Sequence, residues 1–347
     1  INLNDDFVLD LEPQFLIQRS FNGYTNSFVS EGDLITGNRV KRDTAFADYF
    51  GLESEIKGTI DNWDLFIEKQ INTFDINKFN DALRLKTSLS KEINFLNSKW
   101  KKSFYGVYRD RVWNGSLGEA EIYRGFGAKL EKRNKWEINN IYKNDILSFG
   151  LANLKAEELD SKNLLTNVKG NLFYSLSQKI PISVYKPKNH FIDSSYEYIT
   201  KPISKGLSLN TRFEASYSLY EKGKHQEYLG FGLGPELIIG DFKNRIFDYT
   251  RISIFPFYKL KNGNSVFKFD QISDKFTLEM SFDQQIFGPL MLQSNGSLNL
   301  DNDSEDYGDF INSRIALNWK KRSYEFGIFY QPHNEAGGIA FKLFGFK

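Results

Sequence analysis

Residues 207–220 alternate apolar and polar side chains almost without a break, and this pattern constrains the chain more than any other. Leu207, Leu209, Thr211, Phe213, Ala215, Tyr217 and Leu219 fall on one parity; Ser208, Asn210, Arg212, Glu214, Ser216 and Ser218 fall on the other. A strand sends successive side chains to opposite faces, so this run has one greasy face and one wet face. It is also long. Strands in globular proteins usually span roughly 5–6 residues, whereas one crossing a bilayer at a tilt takes roughly 9–11.

The pattern recurs along the chain. The first expected strand covers 7–18, with Leu9, Leu11, Pro13 and Phe15 on one side and Asp10 and Glu12 on the other. Proline lacks the amide donor of a ladder, so Pro13 belongs on an edge or a weak seam. Segments 49–60 and 63–71 read as a hairpin around Asp61-Asn62. Further strands are expected at 83–93, 104–113, 120–130, 135–142, 147–156 and 168–176, with a turn at Lys132-Arg133-Asn134 and a short helical turn at 157–162. Pro181 and Pro187 fall in a loop before a weaker strand at 196–203. The second half gives 207–220, 228–239, 247–260, 276–287, 290–300, 311–319, 324–330 and 339–346. This is an all-β chain of about 16 to 18 strands, read as one transmembrane antiparallel β-barrel domain over residues 1–347.

Composition removes several function classes. Lys plus Arg total 45 and Asp plus Glu 44, a net charge of +1 that argues against a dedicated nucleic-acid binder. No run approaches the roughly 18 apolar residues of a membrane helix, but alternation hides a barrel strand from such a test. Aromatics make up 16% of the chain, enough for a lipid-facing wall and its girdles. With no Cys, disulfides and thiolate metal sites are impossible. No signal peptide opens the chain at Ile1, which is read as the start of a mature chain or of a fragment of a longer precursor.

Catalytic and cofactor chemistry finds no anchor, so neither an enzyme nor a cofactor is expected. His190, His225 and His333 fall in or beside expected turns, are not spaced as a metal pair, and read as surface residues. Gly230, Gly232 and Gly234 lie within a strand, where glycines mark a bulge, curvature or close backbone approach rather than a dinucleotide site. The acidic run from Asp301 to Asp306 lacks an EF-hand register and reads as a solvated loop. Arg212, Glu214, Arg251 and Arg314 alternate with apolar residues on strands; they face water in a soluble sandwich and a polar lumen in a barrel. A β-solenoid is disfavoured because no repeat of fixed period is found.

Several motifs carry a resemblance. They are Pro13-Gln14-Phe15-Leu16-Ile17-Gln18-Arg19, Tyr108-Arg109-Asp110-Arg111, Asn114-Gly115-Ser116-Leu117-Gly118, Gly234-Pro235-Glu236-Leu237 and Phe247-Asp248-Tyr249-Thr250-Arg251. The others are Asp274-Lys275-Phe276-Thr277-Leu278, Asp283-Gln284-Gln285-Ile286-Phe287-Gly288-Pro289, and Tyr330-Gln331-Pro332-His333 with Gly337-Gly338-Ile339. Together they resemble the cyanobacterial branch of the LptD (OstA) lipopolysaccharide-assembly outer-membrane proteins. The resemblance implies a barrel in the cell outer membrane that receives lipopolysaccharide or a related glycolipid from periplasmic bridge proteins and releases it to outer-membrane lipids through a lateral gate. It also implies a periplasmic domain preceding the barrel. The cysteines that order assembly in enteric members have no counterpart here.

On this reading Leu9, Leu11, Pro13 and Phe15 form one side of the gate, and Ile339, Phe341 and Leu343 the other. Asp10, Glu12, Arg212, Glu214, Arg251 and Arg314 make the lumen polar. Two rival expectations stand beside it: a passive porin of the same fold, and a soluble β-sandwich or solenoid that binds a ligand.

Overall fold

Three pairs of neighbouring residues take consecutive left-handed conformations: Asp61 and Asn62 (φ 48° and 65°), Leu96 and Asn97 (50° and 54°), and Asn139 and Asn140 (52° and 63°). Two positive φ values in succession make a type I′ turn, whose twist matches that of the strands it joins. Each pair closes a two-residue hairpin, with Ile60 opposite Trp63, Phe95 opposite Ser98, and Ile138 opposite Ile141. The computed structural model describes residues 2–4, 6–15, 24–25, 40–41, 50–71, 75–185, 205–240, 246–321, 324–334 and 336–343.

Repeated hairpins build an up-and-down sheet. In chain order the strands are β1 (Asn2–Asn4), β2 (Phe7–Phe15), β3 (Tyr24–Thr25), β4 (Val40–Lys41), β5 (Phe50–Ile60) and β6 (Trp63–Ile71). They continue with β7 (Leu83–Phe95), β8 (Ser98–Trp113), β9 (Glu119–Ile138), β10 (Ile141–Glu157), β11 (Leu164–Tyr185), β12 (Lys205–Tyr220) and β13 (His225–Gly240). The last six are β14 (Tyr249–Gly263), β15 (Phe276–Phe287), β16 (Leu290–Asn299), β17 (Phe310–Lys320), β18 (Tyr324–Gln331) and β19 (Ala336–Leu343). β1 pairs with β2, and β3 and β4 form a small sheet of their own. The fold is the all-β antiparallel architecture expected from the alternation; the described residues make 16 long strands, and among them hydrogen bonds do not close the sheet into a ring.

Register exposes an inverted burial pattern. On β13, Leu229, Phe231, Leu233, Pro235, Leu237 and Ile239 are exposed, while Gly230, Gly234 and Glu236 between them are buried. The ladders align Leu176, Phe213, Phe231, Tyr258 and Phe276 in one row across five strands. Phe213, Phe231 and Tyr258 of that row are each more than a third exposed. The opposite face carries the buried Lys129, Glu131, Lys169, Ser175, Ser208, Ser218 and Glu236. A sheet in water keeps its apolar face inside; this one keeps its charges inside.

The sheet is also rolled. Trp113 at the end of β8 donates its indole Nε1–H to the carbonyl of Ile311 on β17 at 2.7 Å, although eight strands separate the two in the sequence. Only curvature brings those ends together. Successive connections of an up-and-down sheet alternate between its two rims. Among the described residues one rim therefore holds four two-residue turns, including Gly288-Pro289, together with the facing ends of β11 and β12 at Tyr185 and Lys205; the other holds the 264–275 and 300–309 loops.

Three expectations are corrected. Lys132-Arg133-Asn134 is not a turn: β9 runs on for 20 residues, and the reversal comes at Asn139-Asn140, since asparagine tolerates the left-handed region better than most residues. Pro181 is not in a loop but within the 22-residue β11, beside a bulge between Pro181 and Ser183, where a missing donor is tolerated. Segment 158–163 is turn and bend rather than helix, and Glu158 bridges to Phe267. The expected strand at 196–203, and His190, lie outside the described residues.

Candidate functional site: a polar inner wall and a loop folded across it

Side chains of the inward parity link seven consecutive strands. Lys179 of β11 and Asn210 of β12 both reach Glu236 of β13, at 2.9 and 3.1 Å. Arg251 of β14 donates to Glu236 at 2.7 Å and to Asp283 of β15 at 3.3 Å. Gln293 of β16 meets Asp283 at 3.4 Å, and Asn318 of β17 meets Gln293 at 2.6 Å. Cross-strand neighbours share a face, so these residues touch because period 2 and register put them there.

A second cluster depends on glycine. Arg212, Gly232 and Phe257 stand in one row across β12, β13 and β14. A Cβ on Gly232 would come 2.5 Å from Phe255 Cε1, and one on Gly230 would come 2.5 Å from Phe257 Cζ. With no side chain in the way, the two rings lie over β13. The Arg212 guanidinium stacks on both, 4.8 Å from the Phe255 centroid and 4.2 Å from that of Phe257. It also pairs with Glu279 on β15, and at 3.6 Å with Glu214, which accepts the Tyr228 hydroxyl at 3.0 Å. The glycine run is thus a site of close approach, one of the readings its sequence allowed.

The loop 264–275 between β14 and β15 folds inward against this wall. Val266, Phe267 and Phe269 are almost fully buried, packed with Ala120, Ile122, Leu154 and Tyr220. The backbone amide of Lys268 donates to the Glu157 carbonyl at 3.0 Å and that of Leu159 to the Val266 carbonyl at 3.1 Å, so the loop is held to the end of β10 by a single β-bridge. Two carboxylates fix it. Asp270 pairs with the buried Lys169 at 2.5 Å and accepts the Tyr220 hydroxyl at 2.8 Å. Asp274 accepts from the Ser116 hydroxyl and from the Ser116 amide at 3.2 Å, and from Asn299 at 3.1 Å. Asn114 donates to the carbonyls of Lys268 and Gln271 at 2.6 and 2.8 Å. A cavity of about 210 Å³ remains beneath the loop, lined by residues including Lys169, Asn171, Phe173, Ser216, Tyr228 and Lys259.

Beside the loop, Lys275 holds Asp303 at 2.8 Å; this hydrogen bond raises the lysine pKa and lowers that of the carboxylate. Asp301 accepts backbone amides of Lys275 and Asp303 at 3.1 and 3.2 Å, so the acidic run is a pinned loop. His333, expected at the surface, is instead half-buried: its ring meets Trp113 edge-on at 5.0 Å, and its Nδ1 accepts the Ser313 amide at 2.9 Å. Burial holds its pKa below the usual imidazole value.

Arg212, Glu214, Arg251 and Arg314 all stand on the polar face, Arg314 with its guanidinium 4.8 Å from the Phe329 ring centroid. The backbones of Asp10 and Glu12 lie opposite Glu55 and Glu53; their side chains are outside the described residues. Of the expected gate, Leu11 and Ile339 are exposed, Leu9 is partly so, and Pro13 pairs in register with Leu52. The side chains of Pro13, Phe15, Phe341 and Leu343 fall outside the described residues. Sequence reading missed the inward loop altogether, although Phe267, Phe269 and Asp270 in a connecting segment are the kind of apolar and acidic residues that a plain surface loop does not need.

The motifs singled out in the sequence meet in space. Gly115 and Ser116 meet Asp274, Arg251 meets both Glu236 and Asp283, and Gln285 accepts the Asp248 amide at 3.0 Å. No curated protein matches the chain. A family model described as "Protein of unknown function (DUF3769)" matches residues 1–347, and the chain therefore belongs to that family.

Proposed function

We propose that the chain is a barrel of the outer membrane that moves lipopolysaccharide or a related glycolipid to the outer leaflet. The observation that carries this is the inverted burial. The exposed apolar run from Leu229 to Ile239 has the length a tilted strand needs to cross a bilayer, roughly 9–11 residues. The opposite face offers charges, amides and hydroxyls to a sugar chain. Pro13 on β2, which brings no amide donor to a ladder, supports a lateral exit at the seam between β2 and β19, since a ladder short of a bond opens more cheaply. Apolar tails would pass along that seam while the sugars follow the polar wall. No residue is assigned a chemical step.

The inward loop favours a second reading, a solute channel narrowed by 264–275. Cysteines at Leu11 and Phe341, oxidised in cells, separate the two; no native cysteine interferes. A bridge that stops glycolipid export is the expected result. Export that continues through a bridged seam would leave the channel reading standing and remove the gate. No bridge at this or neighbouring registers would mean that β2 and β19 are not neighbours.

A further inference from the structure

The wall is uneven in height, and its tallest part leaves a strand edge without a ladder partner, crossed only at its start where Lys132 Nζ donates to Ser98 Oγ of β8 at 3.0 Å. β9 and β10 pair down to Ile138 opposite Ile141, but the β8–β9 ladder ends at Lys101 opposite Glu131. Residues 132–138 of β9 are therefore laddered on one side only among the described residues. On the outward parity, Phe126, Ala128 and Leu130 give way to Lys132 and Asn134 before Trp136 and Ile138 at the tip, and Phe149 and Leu147 give way to Asp145 and Lys143 before Ile141. The hairpin thus runs past the main apolar band through a polar belt, at the rim that carries the two-residue turns.

The hydrogen-bond phase of this edge follows from its turn. A two-residue turn makes Ile138 and Ile141 a hydrogen-bonded pair, and such pairs alternate with non-bonded ones along an antiparallel ladder. The amides of Arg133, Lys135 and Glu137 therefore point away from β10, toward the open edge. The edge is basic on balance: Lys132, Arg133 and Lys135 lie on it against Glu137, Arg133 also pairs with Glu131, and Lys99, Lys101 and Lys102 stand on the adjoining end of β8. Like charges oppose pairing of this edge with a second copy of itself, while an acidic strand meets complementary charge.

We propose that residues 132–138 of β9 are a docking edge for an acidic strand of a soluble partner, which would add to the sheet by main-chain hydrogen bonds. The side it faces rests on the membrane reading above; the transported lipid does not enter.

The test uses purified protein in detergent and a synthetic strand peptide alternating Glu with Val, read by fluorescence anisotropy. Lys135→Pro removes an outward amide and spares the bonds to β10, while Lys135→Gln removes only the charge. Binding that weakens about tenfold or more in Lys135→Pro relative to Lys135→Gln is the expected result. Arg133→Pro probes the same edge should Lys135→Pro fail to fold. Equal binding to the proline and glutamine variants would reduce the effect to charge attraction and overturn the proposal, as would no binding at all. Capture by anionic phospholipid vesicles without peptide binding would assign the patch to lipid headgroups instead. Glycolipid export plays no part in this readout, so failure here leaves the transport reading untouched, and failure of that reading leaves the edge.

Discussion

Gly115 shows how one residue can secure a distant segment. Its φ is +49°, and a Cβ there would lie 1.8 Å from Asp274 Oδ2. The position thus needs glycine twice, for the left-handed backbone and for the room that lets Asp274 reach Ser116. Gly288 has a similar φ of +50° but nothing within 4 Å of its virtual Cβ. Gly115→Ala should cost more than Gly288→Ala, which should lose only the backbone term, about 1–3 kcal/mol. Urea unfolding in micelles measures both, and equal losses would mean that Asp274 simply moves aside. The glycine was visible in the sequence as a turn residue. Its carboxylate partner was not, because the two are more than 150 positions apart.

The loop 264–275 is the element that packs across the polar face. Lys169 and Asp270 are both about 95% buried, and removing one partner of such a pair leaves the other charge uncompensated, typically a loss of about 3–5 kcal/mol. Asp270→Asn should therefore free the loop from the wall, raise conductance in planar bilayers and open 264–275 to protease. Lys268→Gln breaks a more exposed pair with Glu157 and should cost about 0–1 kcal/mol, with conductance unchanged. Wild-type conductance together with a protease-resistant loop in Asp270→Asn would show that the aromatic packing of Phe267 and Phe269 suffices. Strand type was easier to read than strand extent. The hairpin around Asp61-Asn62 stands where alternation and turn chemistry put it, whereas β9 and β11 outrun their expected ends. Their extra residues are charged or interrupted by proline, a composition shared by loops and by strands that leave the membrane.

For the whole molecule, the direction of the apolar face decides the solvent. Phe231 lies midway along the exposed run of β13. Phe231→Arg should cost about 2–4 kcal/mol of stability in phospholipid vesicles if that face meets hydrocarbon. Ser297→Arg, on the polar face of β16, should change little. Equal stability of both variants, or a wild-type chain that stays monodisperse without detergent, would remove the membrane and favour a soluble sheet.

Strand class, most strand positions and the face on which each side chain stands can be read from the residues alone, because alternation with period 2 is a covalent property of an extended chain. Arg212, Glu214, Arg251 and Arg314 could be assigned to the polar face for that reason alone. What each of them meets is set by the packing of distant strands. Arg212 finds Phe257 and Glu279 across a glycine strand, and Arg251 bridges Glu236 and Asp283. Register between strands and the curl of the sheet fix those partners, and both arise from contacts between segments far apart in the chain. The fold of 264–275 across the inner wall was decided in the same way, since a connecting segment has no periodicity from which its direction can be read.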